Sequence, residues 1–149
     1  MGNKQYAKYL NRQTVKLVCE PLTEYRICGS EDARAFLVDF MKEFDREHVI
    51  ALLLDRAKQV QSVYEIAVGT LNGALVHPRE VFKAAILSNA SSIILAHNHP
   101  SGKTEPSTED ILLTKRIQEA GETLGIPLMD HLIIGRNSCY SFQENEAMV

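Results

Sequence analysis

Residues 91–110 read SSIILAHNHPSGKTEPSTED. The opening run SSIILA, 91–96, is short and apolar, the pattern of a buried strand, and its C-terminal end delivers His97. Strand side chains alternate between faces, so His97 and His99 point the same way and can aim both imidazoles at one place, while Asn98 points elsewhere. The loop 98–106 holds Pro100, Gly102 and Pro106, which make it stiff. Ser107 then opens a helix, and Ser107 with Asp110 fits a capping box, in which the acid three residues on bonds back to the cap. The Asp110 carboxylate, in the first turn, can instead swing toward the histidines. Taken alone, the residues support two interpretations. One is a loop running into a well-capped helix. The other is a metal site of His97, His99 and Asp110. Three protein ligands plus a water is the open coordination of catalytic zinc, whereas structural zinc closes its fourth position, usually with cysteine. No cysteine lies near in sequence. Zinc is the first expectation, and the ligand types also suit iron, nickel or manganese.

Downstream, Leu113, Ile117, Ala120 and Leu124 recur at helical spacing as a core face, and Gly125 and Pro127 stop that helix. Closing strands are expected at 128–135 and 139–142. Upstream, Pro78 suits a helix start and residues 79–90 are helical by pattern. Residues 69–78 read as loop, with Asn72-Gly73 as a turn signal. HVIALLLD, 48–55, is a near-continuous apolar run, as in a strand covered on both faces. A short turn, 56–58, joins it to a second strand at about 59–68, making a hairpin. Ser30 is the expected cap of a helix over about 31–45, with Glu31 and Asp32 in its first turn. Phe36, Leu37, Phe40, Met41 and Phe44 are its expected buried face. A short strand is expected at 15–20. The order β-α-β-β-α-β-α-β-β predicts an α/β fold, a mixed β-sheet flanked by helices. We divide the chain into a leader, 1–29, carrying one short strand, and a domain, 30–149.

The 149 residues suit a single core, and 45% hydrophobic with 23% charged residues is ordinary for a globular protein. No apolar run approaches the ~20 residues that span a bilayer. The N-terminus lacks the apolar segment of a secretory signal, so a cytoplasmic protein without membrane attachment is expected. Cys19, Cys28 and Cys139 form no CxxC pair and read as reduced thiols. Cys139 is expected in the core. The net charge of −3 does not suit a chain that coats nucleic acid. Lys4, Lys8, Arg12 and Lys16 nevertheless form a row spaced by four with no acid among residues 1–16, so the remainder stands at −7. Such a row reads first as a solvated leader, and second as a contact for an acidic partner or phosphates.

His97, His99, Ser107 and Asp110 together match HxH-x7-S-x2-D, and this pattern resembles the JAMM (JAB1/MPN/Mov34) metalloprotease motif. LAHNHPSG, PSTED, VHPREVFKAAIL and LMDHLIIG are similar, in the same order, to the RadC-like JAB domain of bacteria. The resemblance covers about residues 30–145. It implies a JAB/MPN fold with cytidine-deaminase-like layering and one zinc per chain on His97, His99 and Asp110. It also implies that Ser107 supports the reacting water and oxyanion. A glutamate general base is implied before a core strand, and the matching place in REHVIALLLD is Glu47. Without the resemblance, Glu43, Glu65 and Glu80 compete equally for that role. Longer RadC-like proteins carry an N-terminal helix-hairpin-helix region, and about 30 residues are too few for one here. Nor is there a long insertion of the kind that grips ubiquitin in eukaryotic relatives.

Asp130 and His131 are expected to make structural hydrogen bonds, with only one of them facing the site. His77 and Arg79 are expected to line the cleft or cap the following helix. The function this predicts is a zinc-dependent hydrolase cleaving an amide bond in a peptide or isopeptide, with a peptide or protein as its substrate. The alternatives are a DNA-associated factor or metal-dependent nuclease, supported only by the basic row, and a non-catalytic interaction domain.

Overall fold

The computed structural model describes residues 25–69 and 76–148. The strand expected at 15–20, the basic row, Cys19 and the Asn72-Gly73 turn lie outside them. In chain order the described elements are α1 (Ser30–Met41), β1 (His48–Leu54), β2 (Val60–Val68), α2 (Pro78–Leu87), β3 (Ser92–Asn98), α3 (Thr108–Leu124), β4 (Leu128–Ile134) and β5 (Cys139–Ser141). The strands form one mixed sheet in the order β2-β1-β3-β4-β5. Only β3 and β4 run parallel, joined through α3; the other neighbours are antiparallel. The expected α/β mixed sheet with flanking helices is the fold observed.

The core lies on both faces of the two central strands, which is why β1 and β3 read as continuous apolar runs. Val49, Ala51, Leu53, Ile93 and Leu95 pack under α2 and α3, with Val81, Phe82, Leu113 and Ile117. Ile50, Leu52, Leu54, Ile94 and Ala96 pack under α1, with Ala33, Leu37 and Met41. Before α1 the chain is tied to the hairpin: Arg26 bridges Gln59, and Ile27 is buried. Among the described residues no helix is long and apolar enough to cross a membrane.

Several local expectations need correction. Gly29, not Ser30, is the cap residue of α1; Ser30 is helical and its hydroxyl donates to Glu144. Asp32 instead closes the helix start by accepting from the Cys28 N–H at 2.8 Å. That helix stops at Met41 rather than 45, with Ala33, Leu37 and Met41 as its fully buried stripe. Phe36 and Phe44 of the expected face pack against the same core, whereas Phe40 is 39% exposed; Phe36 stacks on Phe40, Phe40 meets Phe44 edge-on, and Phe44 stacks on His48. In α3, Leu113 and Ile117 are buried as expected, but Leu124 is 47% exposed. His77 caps α2, its Nδ1 accepting from the Arg79 N–H at 3.1 Å.

Candidate metal centre

The end of β3 sets the site. His97 lies on the α3 face of the sheet and is fully buried. After Asn98 the chain leaves the strand, and the His99 N–H still bonds the Ile134 carbonyl at 2.9 Å. The turn that follows depends on two glycines. Gly102 has φ +82°, a left-handed conformation that side chains rarely adopt. A Cβ on Gly135 would lie 2.5 Å from the Gly102 carbonyl oxygen, so only glycine lets the loop cross the end of β4 this closely.

The loop then enters α3 through the expected capping box. The Ser107 Oγ accepts from the Asp110 N–H at 3.1 Å, and Asp110 Oδ2 accepts from both the Ser107 N–H and its hydroxyl at 2.7 Å. The cap uses only Oδ2. Asp110 Oδ1 stands 3.2 Å from His97 Nε2, and Oδ2 is 3.8 Å from His99 Nε2. The cap and the convergence on the histidines therefore coexist. Burial opposes ionisation of Asp110, but His97 and the Ser107 groups outweigh it and hold the carboxyl well below the usual range.

Ring protons can be assigned from partners. The Thr114 hydroxyl is 2.7 Å from the Asp110 carbonyl oxygen, which can only accept, so its hydrogen goes there. Thr114 Oγ1 is also 2.6 Å from His131 Nδ1, which must then be the donor. Complete burial, with the neighbouring His97 adding to it, pushes the His131 pKa far down, so this ring is neutral and its Nε2 bare. That nitrogen lies 2.9 Å from His97 Nδ1 and accepts its proton. His99 Nδ1 donates to the Lys103 carbonyl at 2.7 Å. Both histidines thus spend their Nδ1 protons elsewhere, and their Nε2 atoms face each other at 2.9 Å. With both Nδ1 protons spent elsewhere, neutral rings would bring two Nε2 lone pairs together, which repel unless a cation lies between them, a proton or a metal ion.

A metal fits the donor set. Ligands ~2.0–2.1 Å from a tetrahedral zinc stand ~3.3–3.4 Å from one another. The 2.9 Å between the two Nε2 atoms and the 3.2 Å from His97 Nε2 to Asp110 Oδ1 lie close to that edge, and His99 Nε2 approaches the other oxygen, Oδ2, at 3.8 Å. Anchoring a ligand histidine through its second nitrogen is the usual support of a metal site. Glu47, His97 and His99 also present ligand atoms that all lie within 4.8 Å of one another and can hold a metal ion. Glu47 precedes β1, and the antiparallel pairing of Val49 with His97 carries it to this end of β3. The competing glutamates are occupied elsewhere or outside this cluster: Glu65 pairs with His48 and Glu80 with Lys83, while Glu43 is not among the three converging side chains.

The sequence comparison agrees with this geometry: the RadC-like JAB domain matches residues 27–147. The chain belongs to that family. Among its RadC-like relatives, a UPF0758 protein of Desulforamulus reducens is 51% identical over 113 residues, 76% of this chain and 50% of the relative. One from Clostridium kluyveri is 46% identical over 121 residues, 81% of this chain and 53% of the relative. One from Methanosarcina acetivorans is 41% identical over 135 residues, 91% and 58% respectively. The chain spans about half the length of the curated RadC-like relatives it matches.

In this RadC-like domain Asp130 and His131 divide as their alternation requires. His131 backs His97. Asp130 is turned away and accepts from the Ser141 hydroxyl and the His131 and Gln143 N–H groups. Its burial raises the carboxyl pKa against those bonds. Cys139 is half-buried, and burial pushes its thiol up to about 11 despite nearby Arg34. Thr114 was missed in the sequence, although a polar residue four after Asp110 on a buried helix face is a signal. Replacing Thr114 with Val keeps the volume and strands the His131 Nδ1–H. Zinc affinity should fall by ~10–100-fold, as for other lost supports of a ligand histidine. Competition against a chromophoric chelator measures it, and an unchanged affinity would remove the Thr114–His131–His97 relay from the site.

Proposed function

We propose that the chain is a zinc-dependent hydrolase that cleaves an amide bond in a peptide or isopeptide. The observation that carries this is the meeting of the His97 and His99 Nε2 atoms with the Asp110 carboxylate, beside Glu47. His97, His99 and Asp110 would hold the ion. Bound there, zinc supplies Lewis acidity, drawing the pKa of a water toward ~7 and polarising the substrate carbonyl.

The residues of the chain supply the rest. The Glu47 carboxylate accepts the proton of the attacking water and passes it to the leaving amine nitrogen. The Thr114–His131 relay keeps the His97 proton on Nδ1 throughout. Ser107 holds Asp110 by the cap; turning its hydroxyl hydrogen from Oδ2 toward the developing oxyanion exchanges one hydrogen bond for another. His97 and Asp110 are fully enclosed, whereas His99 is 19% exposed, so substrate reaches the centre from the His99 side.

The test is a peptide library that includes isopeptide-linked pairs, read by mass spectrometry with zinc-loaded and zinc-free protein. Cleavage is expected only with zinc, and it should stop on chelation. Cleavage that survives chelation, failure to take up zinc, or one bound zinc with no product would each overturn the proposal.

A further inference from the structure

Asn98 stands between the two site histidines, and its side chain goes to the opposite face of the sheet. It is buried at 6% exposure, and both ends of its amide are used. Oδ1 accepts from the His48 N–H at 2.7 Å, and Nδ2 donates to the Arg46 carbonyl at 2.7 Å. These two backbone groups flank Glu47. The β1–β3 register begins at Val49 and His97, so the Asn98 side chain extends the link between these strands one step past their backbone ladder. The Glu47 carbonyl is held separately, by the Gly69 N–H at 2.8 Å.

We propose that Asn98 is the positioning residue for Glu47. It ties the peptide carrying the base to the chain carrying His97 and His99, so this side chain couples the position of Glu47 to that of the two histidines. The residue type follows from the chemistry. An amide offers one donor and one acceptor in a plane, matching a C=O and an N–H on a neighbouring strand. Aspartate keeps the acceptor and loses the donor. Serine is too short to span both, and alanine has neither. The consequence for catalysis rests on Glu47 being the base, but the tie itself does not.

The test uses Co2+ as the probe on the full chain. The 13C carboxyl resonance of Glu47, assigned by its loss in Glu47→Gln, should be displaced when Co2+ binds. In Asn98→Ala that displacement should be largely lost, while Co2+ affinity changes by less than the ~10-fold that marks a disturbed ligand support. Asn98→Asp should fall between, because it still accepts from His48; it also serves if the alanine variant does not fold. Amide exchange at His48 should accelerate in Asn98→Ala. A retained displacement would overturn the proposal. So would an affinity loss beyond ~10-fold, which would place the action of Asn98 on the histidines instead. If the wild type takes up no Co2+, the metal proposal fails by itself and His48 exchange decides: faster exchange in Asn98→Ala supports the tie, and unchanged exchange overturns it.

Discussion

Replacing Glu47 with Gln is expected to lower amide-bond turnover by ~10²–10⁴-fold while one zinc stays bound, the range that a positioned general base contributes. Glutamine keeps the shape of the side chain but has no carboxylate to accept the water's proton. The expectation separates two roles that the geometry permits. Glu47 lies close enough to His97 and His99 to be a ligand itself. As a ligand, its loss would weaken zinc binding; as a base, its loss would spare binding and stop turnover. Zinc content by elemental analysis and kcat measured on the same preparation distinguish them. Full activity with zinc in place would remove Glu47 from the mechanism.

At Asp110 the two roles are ligand and cap, and two substitutions separate them. Asp110→Asn can still accept the Ser107 N–H through its amide oxygen, but it has lost the charge that faces His97. Zinc affinity should fall by more than the ~100-fold upper range for a supporting residue, with the fold retained. Asp110→Ala should lose the zinc and also ~1 kcal/mol of stability, the usual net worth of a hydrogen bond, because the Ser107 N–H loses its acceptor. The stability loss depends on pH with a definite sign. The neighbouring His97 ring and the hydrogen bonds from Ser107 depress the Asp110 carboxyl in the fold, against the opposing effect of burial. A depressed carboxylate stabilises the fold above its unfolded pKa of ~3.9, and that contribution is lost as pH falls below it. In zinc-free protein, the gap between wild type and Asp110→Ala should be full at neutral pH and shrink below about pH 4. Denaturant titrations at several pH values measure the gap; one that widened in acid would contradict this account.

The histidine pair was legible because it depends on local geometry. Alternation along a strand puts His97 and His99 on one side whatever the rest of the chain does. The cap was legible for the same reason, since Ser107 and Asp110 are three residues apart. The hairpin of β1 and β2 could be read from two apolar runs and a short turn. The end of α1 could not, because the apolar spacing continues to Phe44, which packs against the same core from beyond the last helical residue, Met41. Nor could the use made of Asn98: alternation shows that it leaves the site face, but not that it reaches Arg46 and His48 on another strand.

The sequence by itself determined the α/β order of elements, the HxH pair and the capped aspartate, all consequences of periodicity and spacing within about fifteen residues. The tertiary structure decided among the glutamates, because register between β1 and β3 is a long-range pairing that brings Glu47, and not Glu43, Glu65 or Glu80, to His97 and His99. It also decided the partners of the histidines. The Nδ1 partner of His97 is His131, thirty-four residues away, and that ring is oriented in turn by Thr114 on a helix. Contacts of this kind form only when the parallel strands β3 and β4 are brought together beneath α3, and no pattern of neighbouring residues encodes them.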